Sequence, residues 1–162
     1  MFITKGNIVE KKIELQTSLG NDIPNLQKSE ESSLLMQKQL STLKTKYIGV
    51  KFKSGPSSLY NCHGMTFANR RTGIYEIESI NSILVDDKYI EVKIGEISPG
   101  DIVLYFSENG DIEHSGIVSS ITLGDINDIK IISKWGVAYE TIHSLYNCPY
   151  EKRFIRFYRC QL

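Results

Sequence analysis

The chain has 162 residues, 41% of them hydrophobic and 23% charged. That suits one globular domain with a real core. Lys plus Arg and Asp plus Glu both number 19, so net charge supplies no footprint for nucleic acid or an anionic membrane. No apolar run resembles a secretory signal or a membrane span, and the expected location is the cytoplasm, with non-classical export as an effector left open. Three cysteines, Cys62, Cys148 and Cys160, are too few and too unevenly placed for a disulfide framework. No paired Cys or His spacing seeds a metal site, so the expectation is neither metal nor cofactor.

Residues 1–50 read as an N-terminal arm with one helix. It is part of the core, a segment covering a cleft, or a docking arm. Ser29 to Lys44 has helical spacing, with Ser29 as N-cap, Glu30 and Glu31 in the first turn, and Leu35, Met36, Leu40 and Leu43 recurring on one side. It packs on the core or serves a protein partner through residues 29–44. Lys53 to Ser58 is a Gly-Pro loop that opens the second unit, residues 51–162.

Cys62 to Arg71 reads as a helix closed by Gly73. A second short helix is expected within 74–84, and a strand at 89–92. Ser98-Pro99-Gly100-Asp101 turns into the apolar strand Ile102–Phe106. Asn109-Gly110 marks a hairpin returning through His114-Ser115-Gly116-Ile117-Val118. Further strands are expected at 129–135 and 154–158. The order is helices, then an antiparallel meander, an α+β domain.

Cys62 sits where a loop becomes a helix. A helix N-terminus favours a thiolate, and its free N–H groups can bind an oxyanion. Strand alternation puts His114, Gly116 and Val118 on one face, and Gly116 leaves room there for a Cys-bearing helix. On their own, a buried structural cysteine and a surface histidine are the commoner readings.

Cys62 with Gly64 at a helix start, then Pro99-Gly100-Asp101-Ile102-Val103, then His114-Ser115-Gly116-Ile117 resembles the NlpC-like and CHAP-like branch of the papain superfamily. The likeness covers about residues 57–135. It implies a papain-like core, with the Cys-bearing helix packed on an antiparallel sheet. It also implies amide-bond cleavage of a peptide, protein or peptidoglycan-peptide substrate, with Cys62 attacking and His114 exchanging the proton. An intracellular peptidase, or an effector or toxin domain acting on a peptide or isopeptide bond, is the expected setting. The family's third polar residue falls on the next strand. If the 124–128 turn closes a hairpin, Ser133 is expected near Gly116 and His114 on the paired strand, with Glu140 and His143 as runners-up. Tyr60, Asn61, His63 and Trp135 are the candidates for substrate and oxyanion contacts. A thioester-using acyltransferase or deacylase, a non-catalytic binding module, and a metal site of Cys62, His63 and His114 are the competing readings.

Overall fold

The computed structural model describes residues 9–29, 34–122 and 124–161. The chain is α+β, with three α-helices and a large antiparallel sheet among the described residues. Strands β1 (Val9–Lys11) and β2 (Gln27–Ser29) form a small hairpin-like pair. Helix α1 (Leu34–Lys46), strand β3 (Lys51–Ser54), and helices α2 (Cys62–Phe67) and α3 (Ile77–Asp86) follow. The remaining strands are β4 (Tyr89–Val92), β5 (Ile102–Phe106), β6 (Ile112–Ser120), β7 (Lys130–Lys134), β8 (Glu140–Ser144) and β9 (Phe154–Cys160). Seven strands make one sheet in the order β3-β8-β7-β6-β5-β9-β4, antiparallel at every pairing.

The β5–β6 turn forms as the Asn-Gly pair requires: Gly110 takes φ +86°, the left-handed region that glycine enters without cost. β5 is buried along four of its five residues, because it lies in the sheet interior between β6 and β9. Alternation then sorts its side chains. Val103 and Tyr105 join Val118, Ile131 and Trp135 in one core, against which Leu40, Met36 and Leu43 of α1 pack. Leu104 joins Ile74, Ile80, Ile83 and Ala68 in a second core under α2 and α3. Full burial of each such aliphatic side chain contributes roughly 1.5–3 kcal/mol.

Three expectations about elements change. Ser29 closes β2 and caps no helix, and α1 begins only at Leu34. Glu30 and Glu31 lie outside the described residues. Within α1 the packed residues are Leu40, Met36 and Leu43, while Leu35 is 67% exposed, since a helical turn of 100° per residue cannot bury adjacent positions equally. Helix α2 ends at Phe67 instead of Arg71. Asn69 and Arg70 then take φ +48° and +65°, a left-handed turn that ends the helix four residues early.

The arm is tied to α2 and α3. Leu26 and Gly73 exchange backbone hydrogen bonds of 2.9 and 3.0 Å. Asn25 accepts from the Thr72 hydroxyl at 2.9 Å. Thr17 and Asn21 donate to Asp86, and Ile23 is buried in the second core.

Candidate active site around Cys62

Asn61 starts α2. Its side-chain oxygen accepts from the N–H groups of Gly64 (2.9 Å) and Ile74 (3.1 Å), and its amide donates to the Ile74 carbonyl at 2.6 Å. This satisfies one free N–H of the helix start and fixes the helix to the following loop. The amide expected to contact substrate is therefore committed to the cap. Gly64 is required by contact: a Cβ there would lie 1.7 Å from the Thr72 carbonyl oxygen.

Helix α2 packs on the face of β6 that carries Ser115. The Ser115 hydroxyl meets His63 Nδ1 at 2.9 Å and the Thr66 hydroxyl at 3.0 Å. Thr66 also donates to the Cys62 carbonyl at 3.0 Å. The helix thus approaches the Ser115 face and not the His114–Gly116 face expected from the sequence. The room at Gly116 is taken by β7 instead: a Cβ there would meet Ile131 Cγ2 at 2.6 Å and the Ile132 carbonyl at 2.9 Å.

The β6–β7 pairing stops at Gly116 opposite Ser133, leaving Ser115 without a partner across in β7. The Cys62 thiol is under the influence of the Ser115 backbone and hydroxyl. Burial pushes the thiol up, against the opposing pull of the Ser115 and His63 backbone groups and the Ser115 hydroxyl. The residue is 7% exposed. The resting sulfur is thus a neutral thiol surrounded by groups that would stabilise its anion.

His114 is fully buried. Its ring lies parallel to Tyr150, with centroids 3.6 Å apart, and tilted to Tyr105 at 5.4 Å. Among the described residues neither ring nitrogen has a hydrogen-bond partner. Burial, then the charges of His143 and His63, push its pKa well below the usual value. Tyr150 links the two regions: it lies flat on His114 and is within electrostatic reach of Cys62.

Ser133 stands opposite Gly116 on the neighbouring strand. Its hydroxyl meets His143 Nε2 at 2.9 Å, however, so it orients His143 and not His114. Register explains this. His143 pairs with Ile131, two residues from Ser133, which puts both side chains on one face at diagonal distance. Burial lowers the His143 pKa to about 4, and its Nδ1 faces the Ser144 carbonyl at 2.9 Å. Glu140 is engaged elsewhere. Arg70 donates to both its oxygens at 2.7 and 2.8 Å, and Tyr60 donates at 3.0 Å. Trp135 belongs to the first core, with Tyr47 and Phe52 edge-on against it. Trp135 is thus buried in the core, 3% exposed.

One residue escaped the sequence reading. Lys134 is fully buried, and its Nζ donates to the carbonyls of Ser57, Gly136 and Ala138, each at 2.8 Å. Burial lowers its pKa to about 8, while the proximity of Cys62 and Glu140 acts in the opposite direction. As a lysine on an alternating strand it gave no signal, because that pattern is also that of a solvated face. Among the described residues no group of three or more His, Cys, Asp and Glu could hold a metal ion. No helix among them is long and apolar enough to cross a membrane. Comparison of the chain with protein-family models, curated proteins and solved structures gives no match.

Proposed function

We propose that the chain is a papain-like cysteine hydrolase that cleaves a peptide or isopeptide amide bond, with Cys62 as nucleophile and His114 as its acid–base partner. One observation carries this reading. A thiol at a helix start is under the influence of the Ser115 and His63 backbone groups, and the residue preceding Ser115 is a buried imidazole with neither nitrogen partnered among the described residues. Buried polar groups are nearly always paired, and exceptions concentrate where chemistry is done. A neutral thiol and a neutral imidazole are each in the protonation state that their roles require at the start of the reaction. The proton leaves sulfur as the carbonyl is attacked, and the imidazole returns it to the departing amine. The N–H groups at the start of α2 supply donors for the oxyanion.

Mass spectrometry of a mixed peptide and isopeptide substrate panel tests the proposal. Wild type is expected to release cleaved products. Cys62→Ser should abolish cleavage, and His114→Ala should lower it by orders of magnitude, both with unchanged far-UV circular dichroism. Cleavage that survives Cys62→Ser would sink the proposal. Transfer to an added amine in place of water would redirect it to acyl transfer on the same nucleophile.

A further inference from the structure

The zero net charge is the sum of two unequal regions. From Leu34 to Tyr75 the sequence carries five lysines, two arginines and no Asp or Glu, so the remainder holds 12 basic and 19 acidic side chains. That segment comprises α1, β3, α2 and the turn after α2, and it contains Cys62. All five lysines are exposed, and among the described residues only Lys53 of the five has a carboxylate partner. By contrast, all three arginines outside the segment are matched: Arg153 with Glu151, Arg156 with Glu91 and Arg159 with Asp101. Packing joins the unmatched charges to the thiol. Lys44 Nζ lies 4.7 Å from the Tyr139 ring centroid and 5.9 Å from that of Phe52 in β3. The neighbour of Phe52, Lys53, is 3.6 Å from Glu140. Arg70 holds the same carboxylate by two hydrogen bonds and Tyr60 by one, and Tyr60 precedes Cys62 by two residues. Two cations thus share one carboxylate whose side chain is 5% exposed, and the surface is left positive.

We infer that the face formed by α1, β3 and the turn after α2 binds an acidic stretch of polypeptide, so that the substrate class is a peptide rich in Asp and Glu near the bond cleaved. This deepens the reading of Cys62 as the nucleophile of an amide hydrolase and rests on it. Two ordinary roles account for part of the pattern. Lys44 and Lys46 complement the C-terminal end of α1, and Lys51 and Lys53 on an edge strand discourage pairing with another sheet. Neither role requires that every Asp and Glu be absent, least of all from the exposed positions of α1, where an acid four residues from a lysine would stabilise the helix. Lysines left unbalanced repel one another, and an anionic partner relieves that repulsion and is steered to the face. A short acidic peptide fits better than a nucleic acid. The site beside the face acts on amide bonds, and the excess of acidic groups on the rest of the chain repels a long polyanion.

Fluorescence anisotropy tests the inference with a fluorescein-labelled peptide of alternating Glu and Gly, and with its Gln and Gly counterpart as the uncharged probe. In the full chain at low salt the Glu peptide should bind at least about tenfold tighter than the Gln peptide, and the difference should shrink at high salt. Lys46→Glu, Lys51→Glu and Lys53→Glu combined should weaken binding of the Glu peptide by about tenfold or more. Lys12→Glu, Lys93→Glu and Lys152→Glu combined make the same change of net charge at exposed lysines outside the segment, and should weaken it by less than about threefold. Equal binding of the two peptides, or equal losses in the two triple variants, overturns the inference. So does an oligothymidylate of equal charge that binds tighter than the Glu peptide. Should the first triple variant not fold, the two peptides on the wild-type chain decide alone. Binding does not require cleavage, so the two readings fail separately. A Glu peptide bound through this face by a chain that cleaves nothing would remove the hydrolase and keep the docking face. Cleavage lost in Cys62→Ser, with equal kcat/KM for acidic and uncharged substrates, would do the reverse.

Discussion

Tyr150 lies flat against His114, ring centroids 3.6 Å apart and planes within 8° of parallel. The stack covers one face of an imidazole that is already fully buried, and burial favours the neutral ring at rest. His63 and His143 are in the same condition, each lowered to about 4 by burial.

Acid should therefore unfold this protein early. A histidine whose folded pKa is depressed leaves stability unaffected above the usual value of 6.5. Below that value the unfolded chain takes up protons that the folded chain refuses, and stability falls. By pH 4, His63 and His143 should each cost about 3 kcal/mol, with His114 adding to the loss. Denaturant unfolding at pH 7, 6, 5 and 4 checks this. A midpoint unchanged between pH 7 and 5 would show that these rings are not buried as described.

Gly64→Ala should destabilise the protein by at least about 2 kcal/mol, because its methyl group would enter the Thr72 carbonyl and force the backbone to shift. Gly95→Ala is the control, since a Cβ there meets nothing within 4 Å. It should change stability by less than about 0.5 kcal/mol. Urea midpoints of the two variants compare them directly.

Glu140→Ala should cost about 1–2 kcal/mol by removing the partner of Arg70 and Tyr60, a charge pair of which only the carboxylate is buried, the Arg70 side chain being 38% exposed. Arg70 is held at φ +65°, so losing its anchor should also loosen the turn after α2. Thermal melts give the stability change, and amide exchange across residues 68–73 reports the loosening. A melt within a degree of wild type would assign the pair no structural weight.

Lys134→Met keeps the stem's apolar packing and deletes the ammonium. Three carbonyls lose their donor at once, and each buried acceptor left alone costs about 1–3 kcal/mol. Relief from burying a charge offsets part of this. A net loss of about 2–4 kcal/mol is expected by equilibrium denaturation. A more stable Lys134→Met would mean the charge burial outweighs all three bonds.

Much of the sheet was legible in the sequence because local rules govern it. Asn109-Gly110 forces a turn, Ile102–Phe106 has nowhere to go but the interior, and the nearness of Ser133 to Gly116 follows once the strands on either side of the next turn pair as neighbours. What escaped was decided across the sheet. A period of two says that His114 and Ser115 point to opposite faces, but not which face α2 chooses. The choice rests on fits between distant segments, such as Gly64 against Thr72 and Ile131 filling the space at Gly116. β8 was missed for a similar reason. Its Glu140–Ser144 stretch carries charged and polar residues whose burial depends on partners remote in sequence, Arg70 for Glu140 and Ser133 for His143. The roles of Tyr60, Asn61 and His63 were unreadable because each depends on a hydrogen bond to a residue at least 13 positions away.

The Asn61 cap makes the thiol answerable to residues that precede it by more than thirty positions. Asn25 and Leu26 hold Thr72 and Gly73. The next residue, Ile74, is held by Asn61, and Asn61 sets the first turn beneath Cys62. The boundary drawn at residue 50 from the sequence is thus no mechanical boundary. A chain shortened to 51–162 would keep both Cys62 and His114 yet lose the strut that aims the helix, so its reactivity would report on the arm as much as on the site.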